Sequence, residues 1–146
     1  MSLRRDGREA AVQFLYSLDQ NPAPDGSQLE LFWTVHQAGA GAKKFAAQLI
    51  AGLRPRLVEI DAKIRSVIEN WDFGRLEVVD RNILRVAVYE MFECSETPPI
   101  VAINEAIEIA KRLGTPDSPR FVNGVLDKLK AQLTRPLRTV SQKPQT

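Results

Sequence analysis

Apolar side chains recur along this chain at three- and four-residue intervals, the spacing of helices that each bury one face. In the first such stretch Ala11, Phe14, Leu15 and Leu18 gather on one side of a helical wheel, while Arg5, Arg8, Val12 and Tyr16 fall on the other. This predicts a first helix with an exposed stripe running from guanidinium groups to a tyrosine. A second helix is expected over about 27–37, where Leu29, Phe32 and Trp33 keep the spacing, Ser27 serves as N-cap and Glu30 is the capping-box acid. The Ala-Gly alternation of 38–42 reads as a flexible connection. From Lys43 a long pattern carries Phe45, Ala46, Leu49, Ile50 and Leu53, then Leu57, Ile60, Ile64, Val67, Ile68 and Trp71. Pro55 should break it near Arg54, because proline removes a helix donor and restricts the residue before it.

Three further helices are expected. One starts near Asp80 with Ile83, Leu84, Ala87, Val88 and Met91 on one face. Pro98-Pro99 stops it, and the next carries Ile103, Ala106, Ile107 and Ala110, with Gly114 as a left-handed cap. Ser118-Pro119, an N-cap followed by a first-turn proline, opens the last helix through Val122, Val125, Leu126, Leu129 and Leu133. Val78-Val79 and Pro99-Ile-Val are the only strand-like fragments, and neither sustains a period of two. The expected fold class is all-α, about seven helices in two packed subdomains, about 1–72 and 73–134. A flexible basic tail should follow over 135–146.

Composition adds little to class and more to partners. Hydrophobic residues at 44% can fill a core, and a net charge of +2 does not announce a nucleic-acid binder. Its distribution is more telling. Residues 1–8 hold three arginines against Asp6, and 128–146 hold five basic residues and no acid, whereas 9–127 hold twelve basic against seventeen acidic side chains, a net −5. Basic ends suit a polyanion and an acidic body suits a basic protein. Seven acids against three basic residues between Glu69 and Glu96 sharpen that second point. The lone Cys94 excludes an internal disulfide and a cysteine zinc cage, and no run is long and apolar enough to cross a bilayer, so a cytoplasmic protein away from membranes is expected. His36 lacks a paired cysteine or carboxylate and reads as structural. No nucleophile elbow, zinc-protease motif, dinucleotide fingerprint or EF-hand occurs, and the Ala-Gly loop lacks the lysine of a P-loop. Neither enzymatic activity nor a cofactor is expected.

Four separated blocks carry a resemblance. They are Arg4-Arg5-x-x-Arg8-Glu9-x-Ala11-x-Gln13-x-Leu15-Tyr16 and Asp80-Arg81-x-Ile83-Leu84-Arg85-x-Ala87-x-Tyr89-Glu90, then Val101-Ala102-Ile103-Asn104-Glu105-Ala106-Ile107-Glu108-x-Ala110-Lys111 and Asp117-Ser118-x-Arg120-Phe121-Val122-Asn123-Gly124-Val125-Leu126-Asp127. In this order, over residues 4 to about 130, the chain resembles the NusB family of bacterial transcription antitermination factors. The resemblance implies binding of boxA-type single-stranded RNA of ribosomal RNA transcripts together with the small-subunit ribosomal protein NusE. It further implies a place in the RNA polymerase antitermination complex with other Nus factors, promoting read-through and ribosomal RNA maturation. By position, Arg4, Arg5 and Arg8 should contact RNA phosphates, and Asp117, Arg120, Phe121 and Lys128 should form the second part of the RNA surface. Tyr16, Asp80 and Glu90 match the protein-partner positions. Asp6, Gly7 and Pro119 depart from the family's pattern. Pairing into a homodimer that covers the arginines is the alternative use of the same surfaces. Gly124, within the last helix, is expected to mark close helix packing, with Asn104, Glu105 and Asn123 as structural polar groups.

Overall fold

Ser2 starts the first helix inside the arginine cluster: its hydroxyl accepts the Arg5 backbone N–H at 3.0 Å, satisfying one of the donors a helix leaves open at its N-terminus. The computed structural model describes residues 2–22, 28–68 and 73–140. Among them are seven α-helices and two 3₁₀ turns, with no strand: α1 (Leu3–Gln20), α2 (Gln28–Val35), α3 (Ala40–Leu53), a turn at Arg54–Arg56, α4 (Leu57–Arg65), a turn at Phe73–Arg75, α5 (Val78–Glu93), α6 (Pro99–Leu113) and α7 (Ser118–Lys130). The strand-like fragments are the first turns of α5 and α6. The expected N-cap Ser27, Trp71 and the tail beyond 140 lie outside the described residues.

The chain divides into two compact units, Met1–Pro55 and Arg56–Thr146. The division falls at the helix-breaking proline rather than near residue 72, because α4 packs with α5 and α7. In the first unit α3 lies along α1, and Phe32 of α2 meets Phe14 edge-on at 5.5 Å between ring centroids. His36 stacks on Phe32 at 4.8 Å, a structural use of the single histidine. The Ala-Gly stretch 38–42 is a connection only as far as Gly39, since α3 begins at Ala40.

Two neighbours, rather than one, explain why α1 departs from a single buried stripe. Gly7 through Val12 are all buried. At Gly7 the helices approach so closely that a Cβ would stand 2.8 Å from Phe45 Cδ2 and 3.0 Å from the Ala42 carbonyl oxygen. The supposed solvent stripe is therefore corrected: Val12 belongs to the core and Arg8 is 3% exposed.

The second unit is built on α5. Asp61 of α4 receives a two-pronged pair from Arg85, Nε and Nη2 each at 2.8 Å, and Arg85 Nη1 donates to Asn82 at 2.9 Å. Such planar double bonding compensates charges taken out of water. Gly114 ends α6 with φ −93° and ψ −166°, an extended and not a left-handed cap; a side chain there would collide with Ser118. Gly124 also differs from expectation, since a Cβ there would meet nothing within 4 Å. It is exposed, as are Asn104 and Asn123. The beginning of the tail is anchored. Arg135 donates from Nη1 to the carbonyls of Met91 and Cys94 at 3.2 and 2.7 Å and from Nη2 to that of Thr97 at 2.8 Å. The Ile100 N–H donates to Leu137 at 2.8 Å.

Candidate nucleic-acid interface

In the first unit the arginine cluster has a graded structure. Arg4 is exposed, Arg5 is half-buried, and Arg8 is enclosed. The ring of Phe45 organises it: the guanidinium carbons of Arg4 and Arg8 lie 5.5 and 5.3 Å from its centroid, within the range of cation–π attraction. Arg8 is thus a support for the cluster and not an exposed phosphate contact, while Arg4 and Arg5 retain access to solvent. Tyr16, two turns further along α1, is 39% exposed.

In the second unit, the turn before α5 and the turn into α7 enclose a groove of about 450 Å³ lined by Arg75, Leu76, Glu77, Asp80, Arg120 and Phe121, together with Asp117 and Thr115. The α6–α7 connection is tied by its own side chains. Ser118 Oγ accepts the Thr115 N–H at 2.9 Å, the Asp117 N–H donates to Thr115 Oγ1 at 3.3 Å, and the Phe121 N–H donates to the Asp117 carbonyl at 3.1 Å. Asp117 rather than Ser118 is the capping position, and Ser118 opens the helix. This fixes Phe121, half-buried in the groove wall beside the α7 core stripe of Val122, Val125, Leu126 and Leu129. A half-buried ring on a groove wall suits stacking by an unstacked base.

Three of the residues expected in the second RNA surface, Asp117, Arg120 and Phe121, meet in this groove. Lys128 is exposed further along α7, where its Nζ reaches the Val67 carbonyl at 3.4 Å; the groove lining does not include it. Asp80, matched to the protein partner by position, lines this groove and is 6% exposed. Glu90 requires a correction. It is 1% exposed and its Oε2 accepts the Thr97 hydroxyl at 3.2 Å, so it is an interior residue and not part of a surface patch. Arg135 is likewise spent on backbone carbonyls at the end of α5.

Burial pushes the Asp80 carboxyl above its ordinary value, against the hydrogen bond from Ser118 and with repulsion from Glu77. Burial, reinforced by Glu90, pushes the Cys94 thiol up to about 11, and the Tyr89 hydroxyl beside it rises to about 12, again mainly by burial. A thiol so placed stays protonated and unreactive at neutral pH. Among the described residues no cluster of three His, Cys, Asp or Glu side chains is placed to hold a metal ion, and no helix is long and apolar enough to cross a membrane.

Two residues of this geometry escaped the sequence reading. Phe45 keeps core spacing in α3, and nothing in the pattern distinguishes a ring under two guanidinium groups from a ring in the interior. Arg75 stands next to a stretch without periodicity, and only the approach of the α6–α7 connection makes it part of a groove.

A sequence model of the NusB family matches residues 5–131. The transcription antitermination protein NusB of Geobacter sulfurreducens is 45% identical over 134 residues, covering 91% of this chain and 97% of that protein. The structure of T. maritima NusB superposes with a TM-score of 0.78 at 37% identity, covering 88% of this chain and 91% of that one. A structure of the antitermination factors NusB and NusE in complex with double-stranded RNA shares the fold, with a TM-score of 0.79 at 24% identity, covering 91% of this chain and 99% of its counterpart.

Proposed function

The chain belongs to the NusB family, and from that premise we propose that it is a non-catalytic, cytoplasmic transcription antitermination factor. It binds boxA-type single-stranded RNA of ribosomal RNA transcripts together with the ribosomal protein NusE. Within the RNA polymerase antitermination complex it promotes read-through and ribosomal RNA maturation. The observation that carries this reading is the groove beside Phe121, where a half-buried aromatic ring and Arg120 stand together on a connection locked by Thr115 and Ser118. Stacking on an aromatic with a nearby guanidinium is how single strands are held without a duplex to read. Arg4 and Arg5 in the first unit supply phosphate contacts, with Arg8 and Phe45 fixing their base. Lys128 adds a further cation on α7. Tyr16 offers apolar area and a hydroxyl to the protein partner, as partner-facing tyrosines do.

The test is a titration of a short boxA-type RNA and a scrambled control with the chain alone and with NusE, at two salt concentrations. Selective binding that tightens with NusE is expected. Absence of preference between the two RNAs, with NusE present, would refute the reading.

A further inference from the structure

Asp80, which lines the groove of the second unit, carries a carboxylate oxygen with nothing to accept. Asp80 is 94% buried, and its Oδ1 has no hydrogen-bond partner. The Ser118 hydroxyl serves the carboxylate while accepting the Thr115 N–H, so its single proton cannot satisfy both oxygens. A buried acceptor left unsatisfied costs on the order of 1–3 kcal/mol. A donor entering the groove recovers that cost, which makes the oxygen a point of discrimination between ligands that carry a donor and ligands that do not.

The other lining groups narrow what enters. Glu77, Asp80 and Asp117 line the groove together with Arg75 and Arg120, so a phosphate pushed among three carboxylates would be repelled. A flat, neutral heterocycle is not, and Phe121 and Leu76 give it apolar contact. Arg75 and Arg120 are both exposed and remain available to the charged backbone of a ligand whose base lies inside.

We propose that the groove takes one nucleobase of the bound RNA, selected by an amino group that donates to Asp80, while Arg75 joins Arg120 in holding the adjoining phosphates. The inference rests on the RNA-binding reading above and adds to it that Asp80, allotted to the protein partner by resemblance, reads the RNA. Cytosine, adenine and guanine carry such an amino group and uracil does not.

The test uses the full chain, with and without NusE, and boxA-type RNAs in which each adenosine, guanosine or cytidine in turn is replaced by purine riboside, inosine or zebularine, which lack the amino group. At one position the wild type should lose about tenfold in affinity, the worth of a charge-assisted hydrogen bond. Asp80→Ala should lose a similar factor on the unmodified RNA and nothing more at that position, while other positions stay additive. Asp80→Leu, of similar size and with no acceptor, provides the same comparison should the alanine variant melt early. Arg75→Ala should lower the salt slope of binding by about 0.7. A loss in Asp80→Ala that is the same on every RNA, or that depends only on NusE, overturns the inference and leaves the RNA-binding reading standing. Failure of the wild type to prefer boxA-type RNA in either condition overturns both.

Discussion

At the scale of single residues, the charged groups of this protein divide by whether a partner was found inside the fold. Asp61 and Arg85 compensate each other, and Glu90 has Thr97, but Asp80 carries one oxygen without a partner. Burial is the largest influence on it and raises its pKa above 3.8. An acid with a raised folded pKa binds its proton more tightly folded than unfolded. Its contribution to stability is complete below the unfolded value and is lost as the pH rises through the folded one. Wherever Asp80 is ionised, its buried charge is therefore a cost. Asp80→Asn, which cannot ionise, should melt above the wild type at pH 7 and lose that advantage as the pH is lowered below about 4. An unchanged melting temperature at pH 7 would show the charge to be compensated. None of these assignments was visible in the sequence, where Asp80, Glu90 and Arg8 are simply polar positions at the edge of apolar stripes. The partners that decide their burial come from a distant connection, a loop threonine and a phenylalanine of another helix.

At the scale of elements, two helical glycines make opposite demands. Gly124 sits in mid-α7 with open space where a Cβ would be, so Gly124→Ala should stabilise by about 0.5–1 kcal/mol through helix propensity alone. Gly7 in α1 has a ring and a carbonyl oxygen in that space. There the same change should cost about 1–2 kcal/mol net of propensity, because a backbone atom of α3 cannot yield as a side-chain end can. Urea unfolding of both variants measures the difference, and like signs would contradict the packing described. The third demand is at the end of α5, whose last carbonyls have no helical donors. Arg135 supplies them, so Arg135→Ala should lose about 2 kcal/mol in the same assay, whereas exposed Arg138→Ala should stay within about 0.5 kcal/mol. Helix order and most boundaries were legible because they depend on periodicity, Pro55 and Pro98-Pro99, all local signals. The enclosure of α1, the anchoring of Arg135 and the open surroundings of Gly124 depend on which neighbours cover a helix. Local spacing carries no record of those neighbours.

For the whole molecule, a net charge of +2 gives little long-range pull on a polyanion, so affinity for RNA has to come from the few cations that reach it. Arg8 is enclosed and Arg135 is committed to carbonyls, which leaves Arg4, Arg5, Arg120 and Lys128 as phosphate contacts, with Arg75 as the fifth that the groove adds. Four or five contacts to a single strand, each contributing about 0.7, predict a slope of log affinity against log salt near −3 to −3.5. The double variant Arg4→Ala/Arg5→Ala should weaken cognate and scrambled RNA alike and flatten the slope by about 1.4. Phe121→Ala should leave the slope unchanged and weaken the cognate RNA preferentially, since a ring stacks on a base and releases no counterion. The two readouts separate the roles that charge and shape play across the two units. If Phe121→Ala reduced both RNAs equally with its slope intact, the ring would be acting only as a wall of the fold, and selectivity would have to reside in the polar groups of the groove.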